Sequence, residues 1–156
     1  MQPKPICRAF NVAVNHIAAR LFPNGYDVSE RAPESLPALN QHIAATGRML
    51  VWSGASNDTI FADPETNWAF RAWHDWHHWK LQAKFTPEGE RAVYEAQCAL
   101  LSSLYPGHHL LSKWRALLDI EVNGQLAHEA TYGSFPANQR AFAEYHLPRH
   151  PFLAAN

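Results

Sequence analysis

Apolar residues recur at intervals of three to four positions through most of the chain, and prolines and glycines separate these stretches. Such spacing aligns apolar side chains along one face of an α-helix. It predicts helices over residues 6–22, 35–46, 65–82, 87–105, 108–131 and 136–147. Ser35 is placed to cap the second helix, and Pro64 and Pro87 fall in the first turns of the third and fourth, where proline is tolerated. The short connections predict a mainly α fold, a compact bundle of about six helices.

The stretch over residues 48–62 departs from this pattern. Two short apolar runs, RMLVW and TIF, flank a cluster of Gly, Ser, Asn and Asp. Such runs around turn-forming residues are typical of a small β-hairpin, or otherwise of an irregular loop. Residues 26–34 are polar and predict a loop, and residues 148–156 predict a frayed tail.

Length and composition limit the classes of protein to which the chain can belong. Its 156 residues, 47% of them hydrophobic, predict a single domain over residues 1–156 with its own core. The 13 Lys and Arg against 14 Asp and Glu leave no basic excess, which argues against nucleic acid as a partner. No apolar run is long enough for a membrane span, and the N-terminal stretch lacks the apolar segment of a signal peptide. With Cys7 and Cys98 interpreted as reduced thiols, a cytoplasmic protein is expected.

Histidine and tryptophan are unusually frequent, with ten and six residues respectively. Five of the tryptophans and three of the histidines fall within residues 52–79. On the third predicted helix, Arg71, His74 and His78 form one narrow polar stripe, and Asp75 lies beside it. Histidines four positions apart on a helix can bind the same metal ion.

The next two helices also carry polar groups on their apolar faces. Glu90 and Gln97 fall on the buried face predicted for the fourth helix. On the fifth helix, Glu121 lies in the middle of the predicted buried face, and Gln125 follows one turn later on the same face. Asp119 points away from this face. A carboxylate among core positions is costly unless it is paired or bound to a metal ion. Three successive helices therefore predict a shared polar site.

The residue types in this site indicate a metal centre. His74, His78 and Glu121 are the predicted ligands, and Glu90 is a candidate fourth or bridging ligand. Imidazole combined with carboxylate suits Zn²⁺, Mn²⁺ or Fe²⁺, so the expected cofactor is a divalent transition metal. Helical bundles build such sites from inward-facing Glu and His on neighbouring helices.

Hydrolysis is the simplest reaction for such a centre, because the ion lowers the pKa of its bound water to about 7. Asp75 or Glu90 is expected to act as general base. Arg71 is expected to bind an anionic group, with Gln97 and Gln125 as further substrate contacts. The expected substrate is therefore a small anionic or phosphorylated molecule. Redox chemistry at an iron ion also fits two histidines and a carboxylate.

A family resemblance rests on four sequence strings within about residues 50–145, namely NWAFRAWHDWHHW, FTPEGE, EVNGQ and GSFPANQRAF. They resemble an uncharacterised family of small bacteriophage and prophage proteins that share the pattern FRAxHDxxH … EGE … Q … GQ … FPxNQ. The resemblance implies no particular activity. It marks Arg71, His74, Asp75, His78, Glu90, Gln97, Glu121 and Gln125, which largely coincide with the inward polar positions.

A second resemblance is to the HD-type phosphohydrolases, which are all-helical metal enzymes. Their His … His-Asp … Asp set would correspond to His42, His74 with Asp75, and Asp119. The order of residues and the helical class agree with this family. The helix that carries Asp119 is expected to turn it outward, which does not agree.

A third resemblance is to zinc peptidases. Residues 74–78 read HDWHH, an H-D-x-x-H motif, and Glu121 would be the third ligand. Asp75 replaces the usual glutamate and is one methylene shorter, which puts its reach to a metal-bound water in doubt. No edge strand that could hold a peptide is predicted either.

The competing class of function is not enzymatic. The polar stripe could be a structural metal site or a buried polar network, for example an ion pair of Glu121 with Arg71. The tryptophans could then bind a partner protein. A closed set of four protein ligands would favour this alternative, and a pocket beside the ion would favour the enzyme.

Overall fold

The computed structural model describes residues 3–154, and the chain has a mainly α, compact fold, as predicted. The first four predicted helices agree with the structure to within two residues at each end. The elements in chain order are α1 (Arg8–Leu21), β1 (Asp27–Ser29), α2 (Leu36–Thr46), β2 (Leu50–Trp52), α3 (Pro64–Leu81), α4 (Pro87–Leu104), α5 (Leu111–Asp119), a π-helical segment (Ile120–Gly124), α6 (Gln125–Tyr132), α7 (Gln139–His146), a 3₁₀ turn (Leu147–Arg149) and α8 (Pro151–Ala154).

Side-chain caps explain where several helices begin. The hydroxyl of Ser35 accepts from the amide of Ala38 at the start of α2. Asp63 accepts from two amides of the first turn of α3, and Thr86 does the same for one amide of α4. A fourth cap was not predicted: Asn138 caps α7, which begins at Gln139, three residues later than expected. Such caps satisfy amides that have no partner within the helix.

The hairpin expected within residues 48–62 is wrong. One strand does form there, β2, but it pairs in parallel with β1, with Val28 opposite Val51. A parallel pair needs a crossover connection, and α2 is that connection. The loop expected over residues 26–34 therefore contains the partner strand. An ion pair between Arg48 and Asp27, 3.0 Å long, lies beside the strand pair.

The single helix expected over residues 108–131 is interrupted. The π-helical segment separates α5 from α6, so one turn of this helical stretch is wider than an α-turn. At its end, a Cβ on Gly124 would lie 3.4 Å from the ring of Phe142, so α7 approaches the backbone closely there. A period of 3.6 residues in the sequence does not reveal such a local insertion.

The core surrounds α3, which packs against α1, α2, α4 and β2. The largest fully buried side chains of the main cluster include Phe10, Trp73 and Trp114. A smaller cluster forms around Leu39 and Met49, and it also contains Val51 and Ala72. Trp68, Trp76 and Trp79 pack against this smaller cluster. Most of the tryptophans thus contribute to the interior, and Trp52 is the one that remains 48% exposed.

The C-terminal residues do not fray where they are described. The 3₁₀ turn and α8 follow α7, and α8 packs against α5. The ring of His150 is buried and its Nε2 donates to Oδ2 of Asp119 at 2.7 Å. Residues 155 and 156 lie outside the described part. Between residues 3 and 154, no helix has the length and apolar character needed to cross a bilayer.

Candidate metal centre

Two histidines of α3 and one glutamate of α4 form a compact cluster. His74 and His78 lie one turn apart, and their Nε2 atoms are 3.2 Å from each other. Glu90, in the first turn of α4, places Oε2 2.8 Å from Nε2 of His74 and Oε1 3.2 Å from Nε2 of His78. Ligand atoms of all three lie within 4.8 Å of one another. Among the described residues, this is the group of His, Cys, Asp and Glu that could hold a metal ion.

The other ring nitrogen of each histidine faces an oxygen atom. Nδ1 of His74 is 2.9 Å from Oε1 of Gln97 on α4, and Nδ1 of His78 is 2.8 Å from the carbonyl oxygen of Ala83. Because carbonyl oxygens only accept hydrogen bonds, each Nδ1 carries the hydrogen and donates it. A neutral ring then has an unprotonated Nε2. Both Nε2 atoms therefore direct lone pairs into the space they share with Glu90.

The electrostatics of the cluster require a positive charge in that space. Two ring nitrogens and a carboxylate repel one another unless a proton or a cation lies between them. Burial would lower the pKa of His74, but the hydrogen bond with Glu90 and the negative charges of Glu90 and Asp75 together raise it. Burial would raise the pKa of Glu90, but hydrogen bonds with His74 and His78 lower it to about 2. Without metal, a proton held between His74 and Glu90 supplies the positive charge.

The turn between α3 and α4 brings Glu90 to the histidines. The helix ends at Gln82 in the left-handed conformation, with a φ of 53°, and the chain reverses there. This reversal returns the carbonyl of Ala83 to the end of α3. Gly89 then packs directly on the carbonyl of Lys84, where a Cβ would overlap it. A residue without a side chain is therefore required next to Glu90.

Glu121 lines a cleft of about 250 Å³ together with His74 and Glu90, but it lies outside the cluster. Its Oε2 accepts from Nε2 of Gln125 at 3.0 Å, and its Oε1 is buried without a hydrogen-bond partner within the described residues. Burial raises the pKa of Glu121 to about 8, although Gln125 and Arg71 act to lower it. Of the two glutamates expected near the histidines, Glu90 therefore joins them, and Glu121, the predicted third ligand, does not.

Arg71 lines the same cleft, but its guanidinium is engaged with the backbone. Nη1 donates to the carbonyl oxygens of Trp52 and Gly54, each at 2.6 Å, and the group stacks on the ring of Trp52 at 5.1 Å. These contacts close the loop that follows β2. In the described part of the chain, no ion pair joins Arg71 to Glu121. Binding of an anionic group by Arg71 stays a prediction.

The other predicted site residues take supporting positions. Gln97 is fully buried and orients His74, and Gln125 lines the cleft and holds Glu121. Asp75 lies next to His74 along α3 but does not line the cleft. Burial raises the pKa of Asp75 to about 6, although the nearby histidines act to lower it. Its role as general base stays a prediction without a contact to support it.

The residue set of the HD-type phosphohydrolases is not brought together. Asp119 faces a separate cleft of about 610 Å³, where it accepts hydrogen bonds from His150 and Asn123. His42 lies on α2 and lines a different depression. Neither joins His74 in the candidate cluster.

Comparison of the chain with protein-family models, curated proteins and solved structures finds no match in any of the three. The resemblance to bacteriophage and prophage proteins therefore stays a prediction. One contact of the site could not be read from residue types, namely the carbonyl of Ala83 that orients His78. Any residue can supply a backbone carbonyl, so the sequence carries no signal for it.

Proposed function

We propose that this protein binds one divalent transition metal ion through His74, His78 and Glu90 and uses it to hydrolyse a small substrate. The observation that carries the proposal is the orientation of the two rings. Both Nδ1 atoms donate to oxygen, and both Nε2 atoms therefore present lone pairs 3.2 Å apart. Partners that fix the second nitrogen of a histidine in this way are typical of metal ligands.

The spacing of the two nitrogens suits one ion. For tetrahedral coordination with metal–nitrogen bonds of about 2.0–2.1 Å, two nitrogen ligands lie about 3.3 Å apart. The carboxylate of Glu90 presents one oxygen to each histidine, at 2.8 Å and 3.2 Å from the two Nε2 atoms, and so lies within reach of the same ion. Zn²⁺, Mn²⁺ and Fe²⁺ all accept this set of ligands.

Hydrolysis is favoured over a structural role by the number of ligands and by the cleft. Structural zinc sites have four protein ligands, whereas catalytic sites have three and leave one position for water. The described residues supply three, and the cleft of about 250 Å³ lies beside His74 and Glu90. Its volume fits a small substrate. The polar groups around it include the amides of Asn67, Gln125 and Gln139.

Titration calorimetry of chelator-treated protein with Zn²⁺, Mn²⁺ and Fe²⁺ tests the metal site. We expect one equivalent to bind, and Glu90→Gln or His78→Ala to weaken binding about tenfold or more. Asp119→Asn is the matched control, because Asp119 faces the other cleft, and it should leave affinity unchanged. Failure of all three ions to bind would refute the proposal. Loss of binding in the control alone would favour the HD-type arrangement.

Turnover by the metal-loaded protein tests the reaction. p-Nitrophenyl acetate and p-nitrophenyl phosphate differ in the charge of the scissile group and therefore separate a neutral from an anionic substrate. We expect metal-dependent hydrolysis that is lost in Glu90→Gln. Preference for the phosphate ester would support the anionic substrate predicted from Arg71. Metal binding without hydrolysis of either ester would favour a structural metal site.

A further inference from the structure

Glu121 is the ionisable side chain of the cleft that the metal site leaves unused. Arg71 and His74 of α3 and Glu90 of α4 are the other titratable or charged groups that line the cleft. His74 and Glu90 are committed to the cluster, and Arg71 is bonded to the backbone after β2. Among residues 3–154, Glu121 accepts a side-chain hydrogen bond from Gln125 alone, through one of its two oxygens.

The second carboxyl oxygen of Glu121 is unusual for a buried polar atom. Oε1 is buried and has no hydrogen-bond partner in the described structure. A buried polar atom without a partner costs about 1–3 kcal/mol, so such atoms are rare and are often found at functional sites. Glu121 also lies in the π-helical segment, where the regular hydrogen-bond pattern of the α-helix is interrupted. Such segments are frequently found at functional sites.

We infer that Glu121 is the proton-transferring residue of the hydrolytic reaction, with its free Oε1 as the atom that exchanges the proton. The inference rests on the proposed function, because it assigns a partner to the water at the metal. It replaces the ligand role expected for Glu121 and the general-base role expected for Asp75 and Glu90. In the proposed site Glu90 binds the metal ion and is therefore not free to act as a base, and Asp75 does not line the cleft.

The proton balance of this step is complete without any further reactant. Ionised Glu121 accepts a proton from the attacking water while the water oxygen bonds to the electrophilic atom of the substrate. The bond to the leaving group then breaks, and Glu121 returns its proton to that group. The net reaction adds one water across the cleaved bond, and nothing is oxidised or reduced.

The environment of Glu121 matches this task. Burial keeps its pKa well above that of an exposed glutamate, and a catalytic group works best when its pKa lies near the working pH. A divalent cation in the neighbouring cluster would lower the pKa of Glu121 by Coulomb attraction and so favour the ionised form. The amide of Gln125 holds the carboxyl group in place by its other oxygen.

The test uses the whole chain loaded with Co²⁺, whose visible absorption reports its coordination. Wild type, Glu121→Gln and the control Asp119→Asn are compared in Co²⁺ affinity, in absorption spectrum and in the pH profile of p-nitrophenyl acetate hydrolysis. We expect all three to bind Co²⁺ equally. Glu121→Gln should lower kcat by on the order of a hundredfold or more, and should abolish the rise of the rate with pH. Asp119→Asn should behave as wild type.

Two outcomes overturn the inference while leaving the proposed function intact. If Glu121→Gln weakens Co²⁺ binding and changes the spectrum, Glu121 is a ligand. If it retains the wild-type rate and pH profile, another group transfers the proton. If the wild type binds no Co²⁺ or hydrolyses no ester, the proposed function fails and this inference falls with it. Circular dichroism of each variant confirms that the fold is retained.

Discussion

Replacing Glu121 with glutamine should stabilise the metal-free protein, and the size of the effect should depend on pH. Burial raises the pKa of Glu121 from 4.5 to about 8. Below pH 4.5 the group is protonated in the folded and the unfolded chain, so it does not affect stability. Between pH 4.5 and about 8 only the unfolded chain releases the proton, so stability falls as the pH rises. Glutamine keeps the shape of the neutral acid and removes this loss.

The magnitude follows from the difference in proton affinity. One pKa unit corresponds to about 1.4 kcal/mol, so at pH 7 the folded wild type carries a cost of about 3 kcal/mol, which approaches about 5 kcal/mol above pH 8. We expect the Glu121→Gln variant to have a higher free energy of unfolding than wild type by much of this amount. For a domain of this size, each kcal/mol corresponds to about 2–4 °C in Tm.

The assay is urea denaturation at pH 4, 7 and 8.5 in the presence of chelator. The stability difference between variant and wild type should be near zero at pH 4 and should grow with pH. Glu95→Gln is the control, because Glu95 is exposed on α4 and its substitution should change stability little at any pH. A variant that is less stable than wild type by the same amount at all three pH values would refute the reasoning. That result would mean that Glu121 is ionised and paired in the folded state.

Three further substitutions test the packing around the site. Gly89→Ala should displace the start of α4 and weaken Zn²⁺ binding about tenfold or more by calorimetry; unchanged affinity would mean that the close approach to Lys84 does not position the ligand. Gln97→Leu should weaken Zn²⁺ binding about tenfold to a hundredfold, since it frees the ring of His74, and equal affinity would refute that orienting role. Asp119→Ala should cost about 1–3 kcal/mol in urea denaturation by releasing His150 and should leave Zn²⁺ binding intact, whereas a loss of binding would contradict the separation of the two clefts.

Local signals explain what could be predicted from the sequence. Ser35, Pro64 and Pro87 mark helix starts through contacts within one turn, so the bounds of α2, α3 and α4 followed directly. His74 and His78 are neighbours on one helix whatever surrounds them, because their spacing alone places them on the same face. The prediction that these two residues act together therefore needed no tertiary information.

The predictions that failed depended on distant contacts. Which inward glutamate meets the histidines is decided by the turn after α3 and by the packing of Gly89, and no helical period encodes this. The partner of β2 lies before α2, so a search for a hairpin within residues 48–62 could not find it. His150 holds the C-terminal turn through a contact with Asp119, 31 positions earlier in the chain. A short polar tail carries no periodic signal for such a contact.

The π-helical segment also constrains how this chain can change in length. A π-turn arises when one residue is added to an α-helix, so the segment Ile120–Gly124 has the form of a tolerated insertion. Deleting one residue there would restore a continuous α-helix but would rotate everything after it by about 100° relative to α5. The cleft residues that follow the segment, Gln125, Leu126 and Gln139, would then turn away from His74 and Glu90. Related chains that keep the cleft should therefore keep this extra residue, whereas insertions and deletions should accumulate in the exposed turn at Pro106 and Gly107, which lines neither cleft.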